Sequence, residues 1–199
     1  MTAAQQLATS GGLKDPVFDS QAIFSALMDA FARPGTIADL GSRAEAPAPL
    51  MPAAAAFVAA MADFDTSVWL DGTLCRAEGL REWISFQTGV PLADAPETAD
   101  FALLSELVEM ERFAIGTPSY PDRSATLLVQ IEALEGGEGL MLTGPGIEGE
   151  RAIAPRGLPR DFAAIWSRNT ALFPLGVDLV LVSGARAIAL PRTTRIREG

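Results

Sequence analysis

Two runs in the C-terminal half constrain this chain more than any other feature. Ala125–Ile131 (ATLLVQI) and Val177–Val182 (VDLVLV) are apolar at almost every position and rich in β-branched residues. Runs of this length, bounded by turn residues, read as strands buried in a core. Each is followed by a second run. Residues 135–139 (EGGEG) lead from the first to Leu140–Thr143 (LMLT), and residues 183–186 (SGAR) lead from the second to Ala187–Leu190. Short glycine-containing connections predict two hairpins.

Upstream the period changes. From Asp19 or Ser20, either a good N-cap, Phe24, Leu27, Met28 and Phe31 recur at helical spacing and predict an apolar face, with Arg33-Pro34-Gly35 as a sharp stop. Residues 53–62 form an alanine-dominated helix, and residues 78–88 a further amphipathic one carrying Leu80, Trp83 and Ile84. Thr66–Leu70 and Ala99–Leu104 are strand candidates, the first ended by the turn pair Asp71-Gly72. Pro159 opens a helix with Phe162, Ile165, Trp166, Asn169 and Leu172, stopped by Phe173-Pro174. Strands separated by helices early and by hairpins late indicate an α/β domain with a mixed sheet. A length of 199 residues fits one domain. Residues 1–12, small and polar, are expected to be a flexible segment, and 13–199 the domain.

Composition excludes much chemistry. The chain has no histidine, so it holds no Ser-His-Asp or Cys-His pair. Cys75 is its single cysteine, which rules out an internal disulfide and a Cys/His zinc site. Lys14 is the only lysine, so any pyridoxal Schiff base or P-loop lysine would have to be that residue. A net charge of -10 argues against nucleic-acid binding. No window approaches 18 uninterrupted apolar residues, and no positively charged n-region leads into an apolar stretch. The expectation is an acidic, soluble, intracellular protein.

The most site-like stretch is the loop from Thr143 through Gly144, Pro145, Gly146, Ile147 and Glu148 to Gly149. Its glycines let backbone N–H groups approach an anion, yet it matches neither phosphate-loop pattern, and Pro145 removes one donor. A turn or a docking loop is the plainer reading. Arg192, Arg195 and Arg197 near the C-terminus could fork onto phosphate or carboxylate, or form a solvated tail that docks an acidic partner. Pro191 marks an edge strand or the end of one. Glu106, Glu109 and Glu111 could hold a cation, although such runs are usually one wet face. Cys75 reads as a structural thiol, and Trp69, Trp83 and Trp166 as core or interface residues.

Several stretches in order resemble one family. They are residues 12–19 (GLKDPVFD) leading to 28–35 (MDAFARPG), then 116–118 (GTP) with 121–123 (PDR), then 142–147 (LTGPGI). Asn169 with 173–178 (FPLGVD) and 190–194 (LPRTT) complete the set. This looks like the PhnH family, a subunit of the carbon–phosphorus lyase core complex of bacterial phosphonate metabolism. The resemblance implies a single three-layer α/β domain like the large domain of pyridoxal-phosphate-dependent transferases, without the cofactor. It also implies a cytoplasmic homodimer that joins subunits of the G, I, J and K types. No catalytic, cofactor-binding or metal residue carries over. Two roles follow. One is a subunit without independent catalysis that supports phosphonate catabolism through assembly. The other is an anion-binding subunit in the ATP-dependent transfer of a phosphonate to ribose, using Arg123, Gly144, Gly146, Gly149, Arg192 and Arg195.

Overall fold

The two apolar runs take the middle of a six-stranded sheet. In the computed structural model, which describes residues 9–41 and 43–199, they are β6 (Thr126–Gln130) and β9 (Asp178–Ser183). Around them lie β2 (Ile37–Asp39), β4 (Val68–Leu70), β5 (Phe101–Leu104) and β10 (Arg186–Leu190), in the order β2-β10-β9-β6-β5-β4. The strands β4, β5, β6 and β9 are parallel, whereas β10 runs antiparallel to both β9 and β2. The sheet is therefore mixed, and the β9–β10 hairpin is where the sequence places it.

Both faces of the sheet are buried, which explains why its strands are apolar at consecutive positions rather than alternate ones. Leu127, Val129, Leu179 and Leu181 join one core cluster, while Leu128, Val180 and Val182 join the other. The second cluster is closed by α1 (Pro16–Ala32), α2 (Pro52–Met61) and α4 (Leu80–Thr88), which follows the single turn α3 (Gly72–Cys75). Residues 53–56 of α2 are alanines and all buried, so the helix can be enclosed on every side without bulk. The opposite face is covered by α5 (Phe162–Thr170), through Phe162 and Trp166, and by a small antiparallel sheet. That sheet comprises β7 (Leu140–Thr143), β8 (Arg151–Ile153) and β11 (Arg195–Glu198), in the order β11-β7-β8. Trp83 and Trp166 are fully buried, and half-buried Trp69 meets Phe113 edge-on.

Several expectations change. The run 140–143 does not form a hairpin with 125–131, because β6 already has β5 and β9 as neighbours; β7 pairs with β8 and β11 instead. The C-terminal arginines accordingly lie in or beside a strand rather than in a tail. Pro191 ends β10, an inner strand and not an edge. The first long helix begins earlier than Asp19: the Asp15 side chain accepts from Phe18 N–H, with Pro16 at the first helical position. Asp19 in turn accepts the Asp15 N–H, and with Arg43 alongside its carboxyl is held below the ordinary aspartate value.

Of the expected apolar face on α1, Leu27 is buried together with Ile23 and Ala30, whereas Phe24 and Met28 lie one position further round and remain exposed. Asp71 does not sit in a simple turn. It caps α3, and its buried carboxylate also accepts from the Ser105 N–H and hydroxyl. Of the N-terminal segment, residues 1–8 lie outside the described residues. The Ser10 carbonyl accepts the Trp83 indole N–H, and β1 (Gly12–Leu13) pairs with β3 (Ala44–Glu45).

Candidate functional site

Pro191 has no N–H to extend β10, and the three residues after it carry the chain from the large sheet to the small one. The Thr194 N–H closes a tight turn on the Pro191 carbonyl at 2.8 Å, and Trp166 Nε1 donates to the Thr194 carbonyl at 2.7 Å. Arg195 then enters β11 opposite Thr143. A cleft of about 480 Å³ opens at this junction. Thr143, Gly144 and Pro145 form one side, Arg192, Thr193 and Arg195 another, and Thr170 and Phe173 the third.

The two arginines of the cleft are in opposite states. Arg192 is largely buried and spoken for: its Nε meets Asp178 Oδ1 at 3.1 Å, and Nη1 meets the Pro121 carbonyl at 2.8 Å. Nη2 donates to Asp178 Oδ2 and to the Ser124 hydroxyl, and its own backbone N–H adds a bond to Asp178. This side chain ties the start of β9 to the loop before β6 and to the end of β10. Arg195 is exposed and makes no ion pair among the described residues.

The mouth is shaped by α5. Asn169, buried, donates from Nδ2 to the Val177 carbonyl and accepts the Val177 N–H at Oδ1, each at 2.9 Å. Its amide thus replaces a peptide group and pins the loop that carries Phe173, a ring that is 60% exposed. Gly144, with φ of 135°, lies so close to the turn that a Cβ would come within 2.9 Å of the Thr193 carbonyl.

Of the residues singled out in the sequence, Gly144, Arg192 and Arg195 meet at this cleft. Gly146 packs elsewhere, against the end of α1, where a Cβ would overlap the Ala32 carbonyl. Gly149 faces open space. The Arg123 guanidinium lies over the Tyr120 ring, 4.4 Å from its centroid. The acidic run around Glu109 does not gather: Glu111 reaches Arg168, and among the described residues no group of three or more acidic, cysteine or histidine side chains is placed to hold a metal. Cys75 is approached by Arg81 rather than by adjacent Arg76. Sequence reasoning missed Asp178 as the partner of Arg192. Its signal was a lone carboxylate at the head of an apolar run.

Chemically, the cleft can hold an anion but offers no proton carrier. Its lining consists of Thr, Gly, Pro, Phe and Arg, without a histidine, cysteine or carboxylate.

Comparison with known proteins agrees along the whole chain. A sequence model of the family described as bacterial phosphonate metabolism protein (PhnH) matches residues 11–197. The chain is 45% identical over 199 residues to the alpha-D-ribose 1-methylphosphonate 5-triphosphate synthase subunit PhnH of Rhizobium meliloti (strain 1021), covering 98% of each. It is 33% identical over 178 residues to HtxG of Stutzerimonas stutzeri, provisionally named a C-P lyase subunit protein, covering 88% of this chain and 85% of that one.

Proposed function

Since the chain belongs to the PhnH family of bacterial phosphonate metabolism proteins, we propose that it is a subunit of the C-P lyase machinery and works through assembly rather than independent catalysis. The observation that carries this reading is end-to-end similarity, at 45% identity, to a protein named as a synthase subunit. The reaction served is then formation of a ribose 1-phosphonate triphosphate, with this chain as one component.

Two physical features support partners. Val17, Phe24 and Met28 form an exposed apolar row on α1, and a net charge of -10 favours complementary surfaces. The partners in this reading are core subunits of the G, I, J and K types, with a homodimer when the chain is alone, in the cytoplasm. The fold in this reading is that of a pyridoxal-phosphate-dependent transferase large domain that does without its cofactor. The mixed sheet is compatible with that, and Lys14, the only lysine, lies exposed just before α1.

Co-expression with the other core subunits tests the proposal. The chain should co-elute with them on size exclusion in a fixed ratio. Elution by itself, with the remaining subunits assembling without it, would sink the reading.

A further inference from the structure

We propose that the cleft between β7, β11 and the Phe173 loop binds a tetrahedral oxyanion bearing an apolar or planar substituent, an organophosphonate or organophosphate, with Arg195 as its recognising cation.

The cleft is lined by cations alone among charged groups. On a chain of net charge -10, its lining contains no carboxylate. Two other clefts differ: the one lined by Pro155 and Phe162 includes Glu138 and Glu198, and the one lined by Leu107 includes Glu109 and Glu111. Most of the arginines are already engaged by carboxylates, carbonyls, rings or sulfur. The guanidinium groups of Arg76, Arg160 and Arg195 alone have no such partner among the described residues. Arg160 shares its cleft with Glu138 and Glu198, and Arg76 lines none of these clefts. Arg195 is thus the unneutralised guanidinium whose cleft is free of acids. Guanidinium forks match phosphate oxygens bidentately.

Thr143 and Thr193 line the cleft with Arg195. Thr143 stands opposite Arg195 in the β7–β11 ladder, and Thr193 precedes it by two residues. Neither hydroxyl makes a hydrogen bond within the described residues, although both side chains line the cleft and are only half-exposed. Two free hydroxyls beside a free guanidinium suit an acceptor-rich, tetrahedral group. Arg192 is a positioning residue here, since Asp178 neutralises it and holds it as a wall.

Phe173 and Pro145, on two different sides of the cleft, give it the apolar surface that a substituent would meet. A volume of 480 Å³ lies within the range of about 300–1,000 Å³ for small-molecule sites. Gly144 adds no side chain to the lining, and its close approach to Thr193 keeps the two walls together.

This proposal is independent of assembly, because it is read on the isolated full-length chain. The experiment is calorimetric and NMR titration with phenylphosphonate, phenyl phosphate and methylphosphonate. Both phenyl compounds should bind saturably and move the Trp166 indole resonance, whose N–H is bonded to the carbonyl of Thr194 between the two ligand-facing residues. Arg195→Ala should weaken both by about tenfold or more. Phe173→Ala should weaken the phenyl compounds and leave methylphosphonate unchanged. Binding of one phenyl compound alone would assign the site to phosphonates or to phosphate esters. Absence of saturation with every probe, or equal affinity in Arg195→Ala, would overturn the proposal. So would a variant that binds no differently yet no longer joins the other subunits, which would make Arg195 a docking residue.

Discussion

The six-stranded sheet and the three-stranded sheet packed under it are held in contrasting ways. In the large sheet both faces are buried, and the Asp178 carboxylate and the Gln130 amide within it are matched. Asp178 has Arg192, and Gln130 accepts the Met51 N–H while donating to the Pro49 carbonyl. In the small sheet one face is wet. Leu140 and Leu142 point inward from β7, whereas Arg195 and Arg197 of β11 are exposed. The contrast is sharpest at the junction, where Arg192 and Arg195, three positions apart, belong to different regimes. A guanidinium enclosed by the large sheet is consumed in holding the fold together; one carried by the small sheet stays available. The scaffold and the candidate site are separated by one turn of chain.

The largest effect should come from breaking the enclosed pair. Arg192→Ala leaves Asp178 without its cation and strands the Pro121 carbonyl and Ser124 hydroxyl. Loss of one partner of a largely buried pair costs about 3 kcal/mol, the lower end of the range for such changes. Urea unfolding should show the midpoint falling with little change in slope. A loss below about 1 kcal/mol, the level of an exposed pair, would erase the distinction between the two arginines. Asn169→Ala comes next, at about 2 kcal/mol, because two buried hydrogen bonds to Val177 disappear together. It should also weaken phenylphosphonate binding, since the loop bearing Phe173 is released. A stability loss with binding intact would show that the loop does not depend on α5 for its position.

The same contrast explains what could be read in advance. Continuous apolar runs such as ATLLVQI report burial on both faces, so β6 and β9 were legible from residues alone. The Asp178 carboxylate inside VDLVLV broke that pattern without indicating its partner, fourteen positions away. The small sheet was misread because its strands are three or four residues long and pair far along the chain: β7 with β11. A glycine loop after β6 suggested a local hairpin, yet both edges of β6 were already taken by parallel neighbours. The α1 stripe was displaced by about one position because Phe24 and Met28 satisfy helical spacing as well as Ile23 and Leu27 do; only packing against α2 selects the buried row. Gly144, Arg192 and Arg195 were identified individually, but their convergence depends on the β7–β11 ladder. Their neighbours Arg123 and Gly149 fit the same residue-type argument and lie outside the lining.

The smallest effect carries the most discriminating test. Arg195→Ala removes an exposed side chain that makes no ion pair or hydrogen bond among the described residues, so the fold has nothing to lose beyond a surface charge. The change in unfolding free energy should stay within about 0.5 kcal/mol. In a chain of net charge -10, deleting a cation also adds slightly to self-repulsion, so any shift should be a small loss that shrinks as salt is added. A salt-independent loss of about 2 kcal/mol or more would mean that Arg195 supports the β7–β11 pairing itself. The two sheets would then be stabilised alike, and weakened anion binding in that variant would report unfolding of the strand. An unchanged midpoint with weakened binding would place the two arginines in separate roles: one maintaining the junction, the other reading what enters the cleft beside it.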